Sequence, residues 1–367
     1  MEEHASSSVY EIGEEEKIQD RHGGDVYSHA GALDFSANIN PLGPPEAVVR
    51  AVRESAEKIS RYPDPEQREL LGALAESEGV PRSLLICGNG AAEILFTLVW
   101  AEKPRQALLP VPSFLEYERS LAAGGCRIRF HQMREEDGFC LREDILPELD
   151  GETDILFLCN PGNPTGLLID PDLLREITGA CRQKGILMVL DECFLDFAEE
   201  REERSLKPFL AENPQIFLLR SFTKFYAMPG LRLGYGICSD KELLGKMKAV
   251  QQPWNVSLPA QEAGIAALRG AGQGYADATR RLVGQEREFL KKGLSESGFR
   301  VWDSKANYLF FSGPKGLAGK LLQENILIRH CTGVRGLREG YYRIAVRTRE
   351  ENERLLEAVK KIRQSSL

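Results

Sequence analysis

Two hydrophobic rhythms alternate through the middle of this chain. Seven short apolar runs have strand length: SLLICG (83–88), QALLPV (106–111), RIRFHQM (127–133), DILFLCNP (154–161), GILMVLDE (185–192), QIFLLRSF (215–222) and LGYGICS (233–239). Most are apolar throughout, as strands covered on both faces are, while RIRFHQM alternates. Between them lie segments with helical spacing, such as AAEILFTLVWAE (91–102) and FLEYERSLAAG (114–124). Strand, helix, strand in series needs crossover connections and predicts an α/β domain around a mostly parallel seven-stranded sheet.

After about residue 255 the rhythm changes. A long helical stretch runs from PAQEAGIAALRG to EREFLKKGLSESG, followed by RVWDSKANYLFFSG, a helix in GLAGKLLQEN, strands in ILIRHC and YYRIAVR, and an amphipathic last helix. The reading is a large domain over 45–255, a smaller α+β domain over 256–367, and an N-terminal arm over 1–44 that contributes to the small domain.

In such sheets ligands bind beyond the carboxyl ends of the strands, so the residues just after each strand are the candidates. CGNGAAE (87–93) follows the first strand and opens a helix. Gly90, Ala91 and Ala92 let backbone amides approach a phosphate there. The segment misses the dinucleotide fingerprint: Glu93 stands at the third glycine, and no acid ends the next strand. Phe114, after the second strand, could stack on a flat heterocycle or simply fill the core. NPGNPTG (160–166) is a rigid loop whose Asn163 can donate to a phenolate-like oxygen. Asp191, at the end of ILMVL, is a buried acid that needs a partner. A helix cap would satisfy it, and so would a protonated pyridine nitrogen. Ser221, Thr223 and Arg232 surround Lys224 in SFTKFYAMPGLRLGYG (221–236) with hydroxyls and a bidentate cation, a set suited to phosphate. Lysine amid positive charge and apolar walls has a lowered pKa and attacks aldehydes.

Charge and composition narrow the classes. A net charge of −8 argues against a general nucleic-acid binder or an anionic membrane as partner. The longest apolar run, ILFTLVWA (94–101), is far below a membrane span, and the acidic N-terminal stretch lacks a secretory core, so a cytoplasmic protein is expected. Eight cysteines without a CxxC pair read as reduced thiols, and the histidines at 4, 22, 29, 131 and 330 show no metal spacing, so no metal is expected.

Taken together, GNGAAE, PSF, NPGNPTG, DECF, SFTK and GLRLG resemble, in order and spacing, the fold-type I pyridoxal-5′-phosphate enzymes of the class I/II aminotransferase group. That resemblance spans nearly the whole chain. It implies Lys224 as the lysine joined to the cofactor aldehyde, Asp191 as partner of the pyridine nitrogen, and Asn163 as donor to the ring oxygen. Ser221, Arg232 and the amides of Ala91 and Ala92 would hold the phosphate, and Phe114 would stack on the ring. RYPDP (61–65) matches the segment whose tyrosine, here Tyr62, reaches the cofactor phosphate of a neighbouring subunit, so a homodimer with shared sites is implied. YYRIAVR matches the strand carrying a substrate-anion arginine, here Arg343.

A narrower similarity is to the L-threonine-O-3-phosphate decarboxylases of cobalamin synthesis, carried by HGGDV (22–26), LDFSANINPLGPP (33–45) and ILIRHC with YYRIAVR. It implies loss of CO2 from a phosphorylated amino acid, with Asn38, His22, Arg329, Arg343 and Arg347 as substrate contacts and His330 as a further candidate. TGVRGLREG (332–340) is more basic than that resemblance leads one to expect. The histidinol-phosphate aminotransferases resemble the same pattern, yet most carry a tyrosine three residues after the aspartate, where this chain has Phe194. Two other classes stay in view. A nicotinamide oxidoreductase would leave Lys224 unexplained, and a regulator on this fold would need a DNA-binding domain for which the roughly 40 residues before the fold, an acidic stretch, are expected to give no room.

Overall fold

The computed structural model describes residues 22–364. The acidic stretch before residue 22, with His4 and the first half of the expected arm, lies outside the described residues.

Seven strands form the main sheet: β1 (Leu85–Asn89), β2 (Gln106–Val111), β3 (Arg127–Gln132), β4 (Ile155–Cys159), β5 (Leu187–Asp191), β6 (Ile216–Ser221) and β7 (Leu233–Cys238). Their order is β1-β7-β6-β5-β4-β2-β3. Every pair is parallel except those of β7, which runs against both β6 and β1. Because β7 is reversed, its beginning lies at the rim where the other strands end. Arg232, just before β7, therefore shares that rim with residues that follow strands.

Neighbouring residues on each strand enter opposite cores, as a period of two requires. Val189, Phe217 and Leu219 join one cluster with Ile94 and Leu98 of helix α3 (Gly90–Glu102), which follows α1 (Glu46–Ser55) and α2 (Arg68–Glu78). Met188, Leu190 and Leu218 join the other, with Leu173 and Ile177 of α5 (Pro171–Lys184), the helix after α4 (Leu115–Ala123). Helix α5 shows how local sequence sets its ends. Asp170 accepts from the amides of Asp172 and Leu173, Pro171 occupies the first turn, and Gly185 closes it at φ 69°.

The long helical stretch is two helices, α6 (Leu258–Gly270) and α7 (Gly272–Glu296), broken where Gly272 takes φ 68°. The expected boundary at residue 255 puts α6 on the small-domain side. Its contacts are with α1 and α2, and Ala260, Ala263 and Ala267 belong to the cluster of Leu70 and Leu233. The run ILIRHC is also divided. Ile326–Leu327 pairs in parallel with Leu33–Asp34, while Arg329–His330 joins Tyr341–Ala345, Tyr308–Ser312 and Arg300–Val301 in a four-stranded antiparallel sheet. The N-terminal segment thus adds a strand beside the small domain, and the carbonyl of Phe35 accepts from the amide of Ala345. The unexpectedly basic loop after Arg329–His330 meets acids of the large domain: Arg335 pairs with Glu118, and Arg338 with Glu135.

Candidate active site

The carboxyl ends of β4, β5 and β6 and the helix starts after β1 and β2 converge on a cavity of about 490 Å3. Lys224, Asp191, Asn163, Ser221, Thr223, Arg232, Ala91, Ala92, Phe114, Asn38, His22 and Arg343 all line it. These residues come from segments up to some 300 positions apart, and the fold brings them to one place.

Lys224 sits in a four-residue helix, Phe222–Phe225, begun by Ser221, whose hydroxyl accepts from the amide of Thr223 at 3.1 Å. The two hydroxyls lie 2.8 Å apart. Lys224 is open to the cavity yet deep in the protein. Burial first, then the Arg343 and Arg232 charges, pull its amine down from 10.5 to about 8, against Cys193 and Asp191. A lysine so placed is a nucleophile near neutral pH.

Asp191 is the last residue of β5 and is 6 % exposed. Its Oδ1 accepts from the Cys193 amide at 2.8 Å, and its Oδ2 accepts from the Tyr117 hydroxyl at 2.6 Å. Burial pushes its carboxyl upward despite these bonds. A cation in the cavity would reverse that. Tyr117 was missed from sequence, although it falls one helical turn after Phe114 in PSFLEY, on the side that Phe114 marks.

Asn163 follows β4, and its Oδ1 accepts from Arg343 Nη1 at 2.6 Å. Arg343 also donates to the Ser36 carbonyl at 3.0 Å, which ties the N-terminal segment to the small-domain strand. The Asn38 Oδ1 and Arg343 Nε are buried without a hydrogen-bond partner. Such atoms are costly unless something else satisfies them.

Helix α3 opens at the cavity with no side-chain cap from Asn89. Instead the Glu93 carboxylate reaches back to the Asn89 amide and is itself held by Asn255. This accounts for an acid where a dinucleotide site has glycine. Gly90 has φ 82°, and a Cβ there would fall 2.6 Å from the Arg232 guanidinium. A Cβ on Gly234 would fall 2.4 Å from the Ala91 nitrogen. Both glycines keep a cradle of amides and one arginine open at a helix N-terminus, the arrangement that binds phosphate.

At the mouth, the His22 imidazole lies 2.8 Å from Glu116 Oε1, which also accepts from Arg119 at 2.7 Å. Phe194 lines the wall edge-on to Tyr308, with centroids 5.0 Å apart, and the Tyr308 hydroxyl is committed to the Gly162 carbonyl. Among the described residues that line the cavity, no tyrosine takes the place of the one that Phe194 replaces.

Gly90 is not part of the lining, and four further expected contacts do not line this cavity. Tyr62 is 78 % exposed and stacks on Trp254 at 4.6 Å. Arg347 turns to Glu351 at 2.5 Å, its i+4 neighbour, because helix Arg349–Gln364 begins there. Arg329 lies opposite Arg343 in the sheet register, one strand farther from the cavity. His330 stacks on Tyr342, with centroids 5.3 Å apart. Among the described residues no cluster of histidine, cysteine, aspartate or glutamate could hold a metal ion, and all eight cysteines are free thiols.

The donor set fits pyridoxal 5′-phosphate. A lysine with a lowered pKa would meet the aldehyde, Asp191 the ring nitrogen, Asn163 the ring oxygen, Phe114 the ring face, and Ser221, Thr223, Arg232 and the amides of α3 the phosphate.

Comparison with known proteins agrees. Residues 30–359 match the family model "Aminotransferase class I and II". The chain is 41 % identical to the threonine-phosphate decarboxylase of Salmonella typhimurium, over 93 % of this chain and 96 % of that protein. It is 31 % identical to the histidinol-phosphate aminotransferase of Methanothermobacter thermautotrophicus, over 89 % of this chain and 88 % of that one. The solved histidinol-phosphate aminotransferase of Clostridium acetobutylicum superposes with a TM-score of 0.84 at 31 % identity, covering 91 % of this chain and 99 % of the other. The chain belongs to the class I and II aminotransferase family and is a pyridoxal-5′-phosphate-dependent enzyme with the fold-type I architecture.

Proposed function

We propose that this enzyme decarboxylates L-threonine O-3-phosphate to (R)-1-amino-2-propanol O-2-phosphate, a step of cobalamin synthesis. One observation carries the reading: the segments behind the narrower resemblance wall the cavity itself, with His22 and Gly23 from HGGDV and Ser36, Ala37 and Asn38 from LDFSANIN. The 41 % identity to a threonine-phosphate decarboxylase supports it, as does Phe194, which removes a hydroxyl from the wall.

The bound cofactor supplies an electron sink for the pair left on the substrate's α-carbon. The rest falls to the chain. Arg343, anchored by Asn163 and the Ser36 carbonyl, offers a fixed cation to a substrate anion. Asn38 Oδ1, an acceptor without a partner, suits a donor on the substrate. Such contacts decide which bond on the α-carbon stands perpendicular to the ring, and therefore which bond breaks. When it is the bond to the carboxylate, CO2 leaves, and Lys224 Nζ returns a proton to the carbon.

The same reading makes the enzyme a cytoplasmic homodimer, with Tyr62 reaching the neighbouring subunit's cofactor phosphate. The exposed Tyr62–Trp254 stack and the exposed side of Arg232 support it, since both leave apolar or charged surface for a second chain to cover. No described helix is long and apolar enough to cross a membrane.

The rival is an aminotransferase of the histidinol-phosphate type, favoured by the Methanothermobacter relative and by the Clostridium structure. Purified holoenzyme given phosphothreonine should release CO2, and should form no glutamate from histidinol phosphate with 2-oxoglutarate. Glutamate without CO2 would overturn the proposal. Lys224→Ala should abolish whichever activity is present.

A further inference from the structure

The start of helix α4 places two aromatic residues one turn apart, one lining the cavity and one behind it. Phe114 begins the helix and faces the open volume, and Tyr117 lies behind it, fully buried, with ring centroids 5.5 Å apart and nearly perpendicular. Tyr117 also stacks on Phe157 of β4 at 5.4 Å. Packed on both sides, its ring has no freedom to swing, and its hydroxyl is aimed at Asp191 Oδ2. The other carboxylate oxygen is taken by the Cys193 amide. With one bond to each oxygen from within the protein, the carboxylate cannot rotate about its Cβ–Cγ axis without losing both.

We propose that Tyr117 is the positioning residue for Asp191: its hydroxyl fixes the carboxylate with its remaining acceptor positions turned to the cavity. This rests on the cofactor assignment, and goes beyond it by naming what makes the acid effective. The hydrogen bond also withdraws charge from Oδ2, which favours the ionised acid where burial favours the neutral one. Burial pushes the Tyr117 hydroxyl itself far upward, so it remains a donor throughout the working range. The other titratable groups facing this pair are Lys224, which favours the ionised acid, the Cys193 and Cys159 thiols, and the Tyr308 hydroxyl, the last three neutral because burial raises them. The start of α4 thus carries both the aromatic that lines the cavity and the residue that holds the acid.

Tyr117→Phe removes one oxygen and keeps the ring packing. In the holoenzyme, kcat should fall about ten- to a hundredfold with KM little changed, as for loss of a hydrogen bond to a charged group. Cofactor release on dilution should accelerate, and the pH midpoint of the cofactor's visible absorption should move. In an Asp191→Asn background the same change should cost nothing further, because the charge it orients is gone. A lower melting temperature with unchanged absorption titration and cofactor release would overturn the proposal. So would an equal loss of kcat in both backgrounds. If Tyr117→Phe fails to fold, a fluorinated tyrosine at 117 keeps the shape and strengthens the donor. Slower cofactor release and a moved absorption midpoint would then support the assignment, and release and absorption identical to wild type would sink it.

Discussion

Asp191 and Glu192 are adjacent acids, both buried, and they serve opposite ends. The β-strand period turns Asp191 to the cofactor cavity and Glu192 to the other face of the sheet. On β6 the same alternation turns Ser221 to the cavity and Arg220 to the back. Behind the sheet, charge is matched: Glu192 Oε2 accepts from Arg220 Nη2 at 2.6 Å and from Ser205 at 2.9 Å, and Oε1 accepts from the Leu206 amide. Burial pulls the Arg220 guanidinium down, but Glu192 and Glu78 together push it well above its ordinary value, so it stays charged. In front, Lys224 is pulled down and Asn38 and Arg343 keep unpaired atoms; burial pushes Asp191 and Glu192 up alike, and Arg220 Nε is the one unpaired atom of the pair behind. One face completes its own ion pairs and holds the strand ends together. The other leaves its groups incomplete until a ligand arrives.

The sharpest test of that contrast is to remove each acid. Glu192→Ala removes the nearest acid from Arg220, leaving the longer pairs to Glu78 and Asp196 at 3.7 and 3.9 Å, and should cost about 3–5 kcal/mol in urea unfolding of the apoprotein. Replacing both partners by apolar residues, Glu192→Leu with Arg220→Met, should recover much of that loss. Asp191→Asn should leave apoprotein stability nearly unchanged while lowering activity by on the order of a hundredfold or more. A larger unfolding penalty for Asp191→Asn than for Glu192→Ala would break the comparison.

How far the sequence reaches follows from the same geometry. The strand-end rule found Asp191, Asn163, Phe114, Ser221 and Lys224, because residues after buried strands have few places to go. It could not show that Glu192, one step on, faces away, or that Arg220 is its partner. Pairings between strands depend on register, and runs apolar on both faces lack the alternation that would fix it. Tyr117 escaped because a tyrosine one turn into a helix reads as core until a buried acid is found beside it. Arg347 was overestimated for the converse reason. It lies two residues past the Tyr341–Ala345 strand, at the start of a helix whose Glu351 claims it. Nor does a helical period say what the apolar side of α6 meets, which here is α1 and α2.

Lys224 provides the next test, smaller and dependent on pH. Its folded value, about 8, lies below the 10.5 of an ordinary lysine. The unfolded chain therefore binds the proton more tightly. Below pH 8 both states are protonated and the full penalty is present, and between 8 and 10.5 the folded state loses its proton first and the penalty is removed. Apoprotein Lys224→Met should thus exceed wild type in stability by on the order of 1–3 kcal/mol near pH 7, and the gap should narrow as pH rises through that window. A gap independent of pH would mean that the unmatched charge in the cavity is not felt as strain.

The smallest effect belongs to the charges between the domains. Arg335 donates through Nε and Nη2 to both Glu118 oxygens, at 3.0 and 2.5 Å, and its guanidinium lies 4.1 Å from the Phe130 ring centre. This contact looks as complete as Glu192 with Arg220, but half of the Arg335 side chain is exposed. Water already solvates both ions there, so losing one partner strands no charge, and Arg335→Ala should cost at most about 1 kcal/mol, shrinking further in added salt. Measured beside Glu192→Ala in the same urea series, it separates pairing from burial. If the two substitutions cost the same, the firmness of the strand ends would come from ion pairing as such and not from enclosing it behind the sheet.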